Sequence, residues 1–358
     1  MNAAMTFGPL RALLSDAGYS FVEPPILHDA RIFVELAGED LRRRLYLTNA
    51  SDGAELALRP DYTIPVCLAH LANGAANRRA DYAYLGPVFR QRGGEVGEFL
   101  QAGVESLGRG DRAAADADTL ALAIRATEAL GLSDLRIRIG DQALFIATLD
   151  ALGLDGPWRR RLARTFGDTE RLKALIGRAT NGAKHEGKPD RRAALRQARD
   201  LLEASGLATI GSRTAGEIAD RVVEKAALAI GIGPRARKVL ERFLAIEGTP
   251  TQAIRKLRSL SEKEGLDISA AIDRFEKRAE ALAKRGIKLS TLSFAADFGR
   301  RLDYYTGFVF EIHDAARTDG RQVVGGGRYD RLLAMIGHGK AIPAVGFAIW
   351  LDRIGSGQ

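Results

Sequence analysis

The chain has 358 residues, of which 46% are hydrophobic, and carries a formal net charge of +8 with a pI of about 9.7. This length allows a large buried core and suggests about two domains. The sequence has no apolar run of the roughly 18 residues that a membrane-spanning helix requires. Its N-terminus also lacks the basic and apolar regions of a signal peptide. We therefore expect a cytoplasmic protein that does not contact a membrane.

The cysteine and histidine residues argue against a metal site and a covalent nucleophile. Cys67 is the only cysteine, so neither an intrachain disulfide nor a cysteine-based metal cluster can form. The five histidines lack the close spacing of a metal-binding pair. Cys67 lies in a predicted helix, and no serine occupies a Gly-x-Ser-x-Gly turn. We expect no metal, no cofactor and no covalent catalysis.

The basic residues form short clusters along the chain. These clusters are Arg42 to Arg44, Arg159 to Arg161, Arg191-Arg192, and Arg235, Arg237 and Lys238. Most of them lack interleaved aromatic residues on which bases could stack. Solvated helix faces are the favoured interpretation, and attraction of an anionic partner or a nucleotide is the alternative.

Helices and short strands alternate in the first part of the chain. The predicted elements are a helix at 1–18, an extended segment at 22–26, strands at 45–48 and 55–58, and a helix at 61–73. Apolar residues between Phe7 and Leu14 repeat with helical spacing. Pro24-Pro25 favours an edge segment of the kind found at a subunit contact. Asp61 either caps the second helix or faces a pocket.

The stretch from Leu85 to Glu105 is predicted to form a hairpin. One strand ends at Phe89-Arg90, a polar loop rich in glycine follows, and a second strand returns through Gln101. An arginine beside the loop and polar groups on one strand face suit an anionic small molecule. This pattern alone does not distinguish binding from catalysis.

The remaining chain predicts a sheet interrupted by a helical stretch. The predicted elements are a helix at 114–130, strands at 135–139, 290–294, 307–314 and 321–325, a helix at 329–336, a strand at 344–350 and a short helix at 351–354. Strands joined by turns indicate an antiparallel sheet, and the helices between them give the α+β class. We divide the chain into a sheet domain of residues 1–140 and 288–358 and a helical insertion of residues 141–287.

Two further motifs have a structural as well as a functional interpretation. Gly325-Gly326-Gly327-Arg328 lacks the Lys-Ser/Thr of a phosphate loop, and it fits a tight connection between a strand and a helix equally well. The run from Arg300 to Gly307 places Tyr304 and Tyr305 just before a strand. There the two tyrosines could line a pocket mouth or pack within a turn.

Five segments together resemble histidyl-tRNA synthetases. They are Leu58-Arg59-Pro60-Asp61-Tyr62-Thr63, Gly86 to Arg90 continuing through Phe99 to Glu105, Arg300 to Glu311, Gly326 to Asp330, and Pro343 to Arg353. These segments cover most of residues 1–140 and 288–355. The resemblance implies the class II aminoacyl-tRNA synthetase fold, an antiparallel sheet flanked by helices that is usually dimeric.

The same resemblance implies a histidine pocket. Its residues by position are Asp61, Arg90, Gln101, Glu105, Arg300, Tyr304 and Tyr305. Asp61 would meet the α-amino group, Glu105 would face the imidazole, and Arg300 matches the histidine-specific arginine of the family. The chemistry agrees, because an ammonium needs carboxylate and amide acceptors, while a carboxylate pairs well with arginine.

Departures from the synthetase pattern indicate that adenylation is disabled. Arg92 replaces a glutamate, and Gly97 stands where the family carries a loop arginine for the phosphates. Trp350 replaces a glycine that lets the backbone approach adenine, so its indole would fill nucleotide space. Arg301 also replaces a glycine. The chain ends soon after Arg353, so we expect neither an anticodon-binding domain nor tRNA binding.

A synthetase-like chain that binds histidine without activating it resembles the regulatory subunits of ATP phosphoribosyltransferase. This resemblance implies a non-catalytic protein of histidine biosynthesis that partners a short-form catalytic subunit, usually in a hetero-octamer. The partner requires it for activity, and histidine acts through it as an allosteric feedback inhibitor. The alternatives are a truncated synthetase-like enzyme that forms histidyl-adenylate and a nucleic-acid-binding module, which only the high pI favours.

Overall fold

The computed structural model describes residues 7–36, 41–75, 78–154, 156–179, 192–193, 195–197, 199–200, 215–300 and 304–354. The helices are α1 (Gly8–Asp16), α2 (Ala30–Leu36), α3 (Thr63–Ala72), α4 (Arg112–Ala129), α5 (Gln142–Ala151), α6 (Gly156–Thr165), α7 (Thr169–Arg178), α8 (Ala215–Ile230), α9 (Gly233–Leu244), α10 (Pro250–Glu264) and α11 (Ser269–Lys284). The strands are β1 (Ser20–Phe21), β2 (Leu27–Asp29), β3 (Leu47–Asn49), β4 (Glu55–Leu58), β5 (Ala80–Phe89), β6 (Glu98–Leu107), β7 (Leu135–Asp141), β8 (Glu247–Gly248), β9 (Leu292–Ala295), β10 (Phe308–Asp314), β11 (Val324–Arg328) and β12 (Ala344–Trp350). None of the helices in these ranges has the length and apolar character needed to cross a membrane.

A nine-stranded sheet forms the centre of the molecule, in the order β1-β5-β6-β12-β11-β10-β7-β9-β8. The six strands from β5 to β7 in this order pair antiparallel. The predicted α+β class is therefore confirmed. The pairs β1–β5 and β7–β9 are parallel, so the sheet is mixed where the sequence predicted an antiparallel one. Both parallel pairs join strands separated by long crossover segments, which parallel pairing requires.

A second, three-stranded sheet has the order β2-β4-β3 and is antiparallel. It contains the two strands predicted around the turn at Asp52, although β3 begins two residues later than expected. Oδ1 of Asp52 accepts a hydrogen bond from the backbone N of Ala54 over 3.0 Å. This side-chain contact supports the tight turn between β3 and β4.

The two faces of the central sheet differ because successive side chains on a strand point to opposite sides. On β6, Ala102 and Val104 belong to the main hydrophobic cluster. On β10, Phe310 and Ile312 belong to the same cluster, together with residues of α1, α4 and α11. The strand predicted at 307–314 is thus confirmed. The opposite face carries polar side chains and holds the candidate site.

Of the helices α5 to α11, α5 and α10 contact the sheet directly and α11 packs on α4, while α6 to α9 pack beside them. Their hydrophobic cluster continues into that of the sheet, for example where Phe275 contacts Phe294 at 4.8 Å between ring centroids. Buried charges also cross this boundary, since Arg278 donates to Asp116 (2.7 Å) and to Asp141 (2.6 Å). The division into a sheet domain and an insertion at residues 141–287 stays a prediction. Arg191, from one of the basic clusters, lies outside the described residues.

The glycine-rich motif lies inside a strand and does not connect a strand to a helix. Gly325, Gly326 and Gly327 belong to β11, which starts three residues later than the sequence predicted. A Cβ atom at Gly325 would overlap the guanidinium of Arg300, and one at Gly326 would overlap the ring of Phe310. Close approach of these side chains to the strand therefore requires glycine.

The helix predicted at 329–336 is also wrong in extent. After β11 the chain makes only a short helical segment at 332–338, whose part from Ala334 to His338 is a π-helical turn with a left-handed Gly337 inside it. Glycine at positive φ interrupts regular helical hydrogen bonding. Between β12 and the end of the described chain, Leu351–Arg353 forms a 3₁₀ turn, close to the predicted short helix.

Candidate functional site

A cavity opens on the polar face of the central sheet, with an empty volume of ≈ 350 Å³ that includes open solvent. All seven residues of the predicted pocket line it, namely Asp61, Arg90, Gln101, Glu105, Arg300, Tyr304 and Tyr305. They come from four separate parts of the chain, and the sheet brings them together. Their role in binding histidine stays a prediction.

The floor of the cavity is formed by β6 and β12. Gln101 and Glu105 are four residues apart on β6, so both side chains point to the same face. Opposite them on β12 lie Trp350 and Gly346. A Cβ atom at Gly346 would overlap the carboxylate of Glu105. Glycine at this position therefore leaves the room in which Glu105 sits.

Glu105 is buried and held from two sides. Oγ1 of Thr63 donates to its Oε1 over 2.7 Å, and the hydroxyl of Tyr329 donates to its Oε2. Burial raises the pKa of Glu105 to about 8, against the opposing effect of these hydrogen bonds. A carboxyl group that titrates near neutral pH can either donate to a bare ring nitrogen or accept from a ring N–H.

Asp61 precedes α3 and is 5% exposed. Its Oδ1 lies 3.5 Å from the backbone N of Ile64, which makes at most a weak helix cap. Its Oδ2 is buried and has no partner among the described residues. Burial raises the pKa of Asp61, while the charge of Arg90 opposes that rise. Of the two roles that the sequence allowed, the geometry favours the pocket.

Gln101 is 1% exposed, and neither its amide oxygen nor its amide nitrogen has a partner within the described part of the chain. An unpaired buried amide costs roughly 1–3 kcal/mol. The free donor and acceptor both belong to a residue that lines the cavity. This residue is therefore a strong indication that the cavity takes a polar ligand.

Two guanidinium groups form the basic side of the cavity. Nε of Arg90 donates to the carbonyl of Pro60 over 2.6 Å. Nη1 of Arg300 donates to Glu311 over 2.8 Å. Together with Asp61 and Glu105, which also line the cavity, they present acceptors for a cation and donors for an anion. That combination suits a zwitterionic amino acid with a polar side chain.

The sequence allowed Tyr304 and Tyr305 either to line a pocket or to pack against neighbouring residues, and the structure shows both. Tyr304 and Tyr305 are 3% and 6% exposed, and their ring centroids are 5.0 Å apart. Tyr304 also contacts Tyr329 edge-on at 5.8 Å. Burial raises the pKa of both tyrosines, so their hydroxyl groups stay neutral. They pack as aromatic residues and line the cavity as well. The neighbouring residues 301–303, which include the predicted departure Arg301, lie outside the described residues.

Sequence reasoning did not assign three residues that shape the cavity: Thr63, Tyr329 and Gly346. Thr63 and Tyr329 stand inside segments that resemble the synthetases, two positions after Asp61 and directly after Arg328. That proximity was an available signal. The contacts of both residues with Glu105 depend on pairing between distant strands, which no local pattern reveals.

A second, larger cavity adjoins the first, with an empty volume of ≈ 1200 Å³. Arg90, Arg300 and Trp350 line both cavities, and Arg353 lines the second. Trp350 is 4% exposed and forms part of the shared wall. Burial and neighbouring arginines lower the pKa of Arg353 to about 10, against the opposing effect of Asp352.

The hairpin loop beside this second cavity is anchored by its own contacts. Arg92 donates to Asp352 over 2.7 Å, and its guanidinium lies 3.4 Å from the ring centroid of Phe99. Gly97 packs against the ring of Tyr46, and a Cβ atom at position 97 would overlap that ring. A side chain at position 97 therefore requires movement of Tyr46. In this arrangement Gly97 has no side chain to offer. Arg92 is held by Asp352 and Phe99, although its buried Nη2 makes no hydrogen bond to the described residues.

The chain is similar over nearly its whole length to known proteins. Residues 3–354 match the family model described as histidyl-tRNA synthetase. Proteins named ATP phosphoribosyltransferase regulatory subunit, from Brucella ovis and Brucella abortus, are each 43% identical over 360 residues. These alignments cover 97% of this chain and 96% and 95% of the two relatives, respectively.

Solved structures give the same fold. A Bacillus halodurans protein named ATP phosphoribosyltransferase regulatory subunit/histidyl-tRNA synthetase matches with a TM-score of 0.65 at 24% identity, over 96% of this chain and 75% of the other. Histidyl-tRNA synthetase from Nostoc sp. PCC 7120 matches with a TM-score of 0.64 at 19% identity, over 96% and 68%. At these identities the likeness establishes the class II synthetase fold alone.

Proposed function

Because the chain belongs to the family of ATP phosphoribosyltransferase regulatory subunits, which is built on the histidyl-tRNA synthetase fold, we propose that it is a non-catalytic subunit that binds histidine. In this proposal histidine occupies the smaller cavity and inhibits the complex by feedback. The partner is a short-form catalytic subunit that needs this chain for activity, and the complex is a hetero-octamer.

The single observation that carries the proposal is the unpaired amide of Gln101 at the floor of a cavity that both carboxyl and guanidinium groups line. Asp61 supplies a buried carboxylate oxygen for the ammonium group. Glu105 supplies a carboxyl group of adjustable protonation for the imidazole. A free histidine offers the matching ammonium, imidazole and carboxylate in one molecule.

Feedback inhibition requires that histidine binds two states of the complex with different affinity. The coupling is reciprocal, so if histidine lowers the affinity of the catalytic subunit for its substrates, the substrates lower the affinity for histidine by the same factor. The proposal therefore predicts that the complex binds histidine less tightly when the substrates of the catalytic subunit are present.

Self-association as a dimer is also part of the proposal. Ile26, Leu27 and Leu47 are 41%, 46% and 52% exposed, and all three lie on or beside the three-stranded sheet. This sheet adjoins the Pro24-Pro25 segment that the sequence assigned to a subunit contact. Exposed apolar side chains concentrated in one region are typical of an interface.

The alternative function is formation of histidyl-adenylate, and the large second cavity with its arginines favours a test of it. Three features argue against adenylation. Arg92 is bound to Asp352, and the ring of Tyr46 leaves no room for a side chain at Gly97. The indole of Trp350 also occupies the wall between the two cavities. An ATP–pyrophosphate exchange assay with histidine distinguishes the two functions. Clear histidine-dependent exchange would overturn the non-catalytic proposal.

The main experiment measures histidine binding by titration calorimetry, followed by the activity of a short-form catalytic subunit with and without this chain. We expect binding of L-histidine in the absence of ATP, activation of the catalytic subunit, and inhibition when histidine is added. Gln101→Ala should weaken histidine binding about tenfold or more, because a buried hydrogen bond to a ligand is lost. Gln142→Ala, at the start of α5 outside the cavity, is the matched control and should bind as the wild type does.

A further inference from the structure

Trp350 occupies a position at which its indole can reach a ligand in the smaller cavity. It is the last residue of β12 and pairs in register with Gln101 of β6. Strand residues paired in this way point to the same side of the sheet. The side chain is 4% exposed and lines both cavities. The indole is therefore part of the wall that a ligand beside Gln101 would contact.

Two guanidinium groups hold this ring in place. The guanidinium carbon of Arg353 lies 4.6 Å from the ring centroid of Trp350, and that of Arg300 lies 5.8 Å from it. Both distances are within the range of a cation–π contact. Phe99 of β6 belongs to the same hydrophobic cluster. Since the ring is fixed by its neighbours, the direction of its N–H group is fixed as well.

The indole N–H of Trp350 has no acceptor among the described residues. Nε1 of Trp350 is buried and makes no hydrogen bond to the residues that the structure describes. Nε of Arg300 is also buried and makes no hydrogen bond to the described residues, although Nη1 of the same arginine donates to Glu311. Buried donors in folded proteins nearly always have a partner. Two such donors on adjacent residues of one cavity point to one ligand group that accepts from both.

We infer that Nε1 of Trp350 donates a hydrogen bond to the carboxylate of the amino acid that the cavity binds, together with Nε of Arg300. The inference rests on the proposed function. It gives Trp350 a contact with the ligand, whereas the sequence indicated only that its indole fills the space of a nucleotide. A carboxylate suits both donors, because its two oxygens accept several hydrogen bonds at once. An ammonium group has no acceptor and cannot take this place.

This contact makes Trp350 a determinant of specificity. It fixes the orientation of the zwitterion, with the carboxylate toward Trp350 and Arg300 and the ammonium toward Asp61. A ligand with an alcohol in place of the carboxylate forms a weaker contact, since hydrogen bonds to charged groups are about twice as strong as neutral ones. The site therefore prefers L-histidine over L-histidinol.

The test compares L-histidine and L-histidinol by titration calorimetry on the full chain and on Trp350→Phe. Phenylalanine keeps an aromatic ring in the wall and removes only the N–H group and part of the ring area. We expect Trp350→Phe to weaken L-histidine binding about tenfold and to weaken L-histidinol binding clearly less, about threefold. Trp158→Phe, which changes the other buried tryptophan of the chain in α6, is the control and should leave both affinities unchanged.

A second measurement does not depend on a variant that binds weakly. The sequence contains two tryptophans, so a ¹H–¹⁵N spectrum shows two indole N–H signals, which Trp158→Phe and Trp350→Phe assign. L-Histidine should move the Trp350 signal downfield by clearly more than L-histidinol does. The Trp158 signal should stay in place.

The outcomes separate this inference from the proposed function. If Trp350→Phe weakens both ligands equally, or weakens neither, Trp350 is only a wall residue and the inference is overturned while histidine binding stands. If the wild-type chain binds no histidine, the proposed function fails and the inference fails with it. A melting temperature of Trp350→Phe close to that of the wild type shows that the variant is folded.

Discussion

Oγ1 of Thr63 donates a hydrogen bond of 2.7 Å to Oε1 of Glu105, although 42 residues separate them. Tyr329 donates to the other oxygen of the same carboxyl group. The carboxyl group of Glu105 is thus fixed in position before any ligand binds. A site held in this way loses less conformational entropy on binding than one that must first be ordered.

The first prediction concerns the pH dependence of stability. The pKa of Glu105 in the folded chain, about 8, is above its ordinary value of 4.5. The folded state therefore holds this proton more tightly than the unfolded state does. The resulting stability is fully present below about pH 4.5 and is lost as the pH rises through 8. Asp61, whose pKa burial also raises, adds an effect of the same sign.

Glu105→Gln should remove most of this dependence in the ligand-free chain. We expect the free energy of unfolding of the wild type to fall between pH 5 and pH 8 by on the order of a few kcal/mol, and that of the variant to fall by clearly less. Urea unfolding at several pH values measures the difference. Glu98→Gln, an exposed residue of the same strand, is the control and should follow the wild type. An unchanged slope for Glu105→Gln would show that another group is responsible.

The second prediction concerns Asp61. Its buried Oδ2 lacks a partner within the described residues, and the proposal gives this oxygen to the ammonium group of histidine. Asp61→Asn keeps the shape of the side chain and removes the charge that the ammonium needs. We expect the affinity for histidine to fall roughly ten- to a hundredfold, the value of a hydrogen bond to a charged group.

Calorimetry on Asp61→Asn and on Asp52→Asn measures this effect, since Asp52 lies exposed in the turn between β3 and β4. Asp52→Asn should bind histidine as the wild type does. Asp61→Glu keeps a carboxylate at this position on a side chain one methylene longer and is expected to keep binding. Equal affinities for the wild type and Asp61→Asn would remove Asp61 from the proposed pocket.

The sequence predicted most of the elements because their patterns are local. The alternation in residues 307–314 and the glycine-rich loop of the hairpin are each visible within a short window. Strand β12 was predicted with the bounds that the structure has. The mixed sheet was missed, because parallel pairing of β7 with β9 depends on contacts across the entire helical stretch.

The polar interior was the least predictable part. Arg59 is fully buried and donates to the carbonyls of Pro24 and Pro87, which are 35 and 28 residues away. A charged residue at the end of a strand is normally read as exposed. Similarly, the glycines of β11 fitted a connection between a strand and a helix. The structure shows that glycine is required there because the side chains of Arg300 and Phe310 pack directly against the strand. No local pattern records such tertiary neighbours.

The third prediction concerns the buried charges between the helices and the sheet. Arg278 donates to Asp116 and Asp141, and Arg328 donates to the other oxygen of Asp116. All four side chains are less than a tenth exposed. Arg278→Met leaves two buried carboxylates short of a partner, which typically costs about 3–5 kcal/mol.

Urea unfolding of Arg278→Met should show this loss, and Arg258→Met is the matched control. Arg258 pairs with Asp273 and Glu276 at the surface, with about two fifths of its side chain exposed. Exposed pairs contribute about 0–1 kcal/mol, so the control should unfold nearly as the wild type does. Similar losses in both variants would mean that burial of the Arg278 network contributes little to stability.

The last prediction concerns adenylation. Trp350→Gly introduces the glycine that the resemblance to the synthetases implies for this position, and it enlarges the space between the two cavities. We expect no histidine-dependent ATP–pyrophosphate exchange in this variant, because the loop still lacks the arginine that would hold the phosphates. Position 97 cannot carry such an arginine while Tyr46 packs against Gly97. Nη1 of Arg92 already donates a hydrogen bond to Asp352. An authentic histidyl-tRNA synthetase in the same assay is the positive control. Exchange in Trp350→Gly would show that the indole alone blocks the nucleotide and that the altered loop does not.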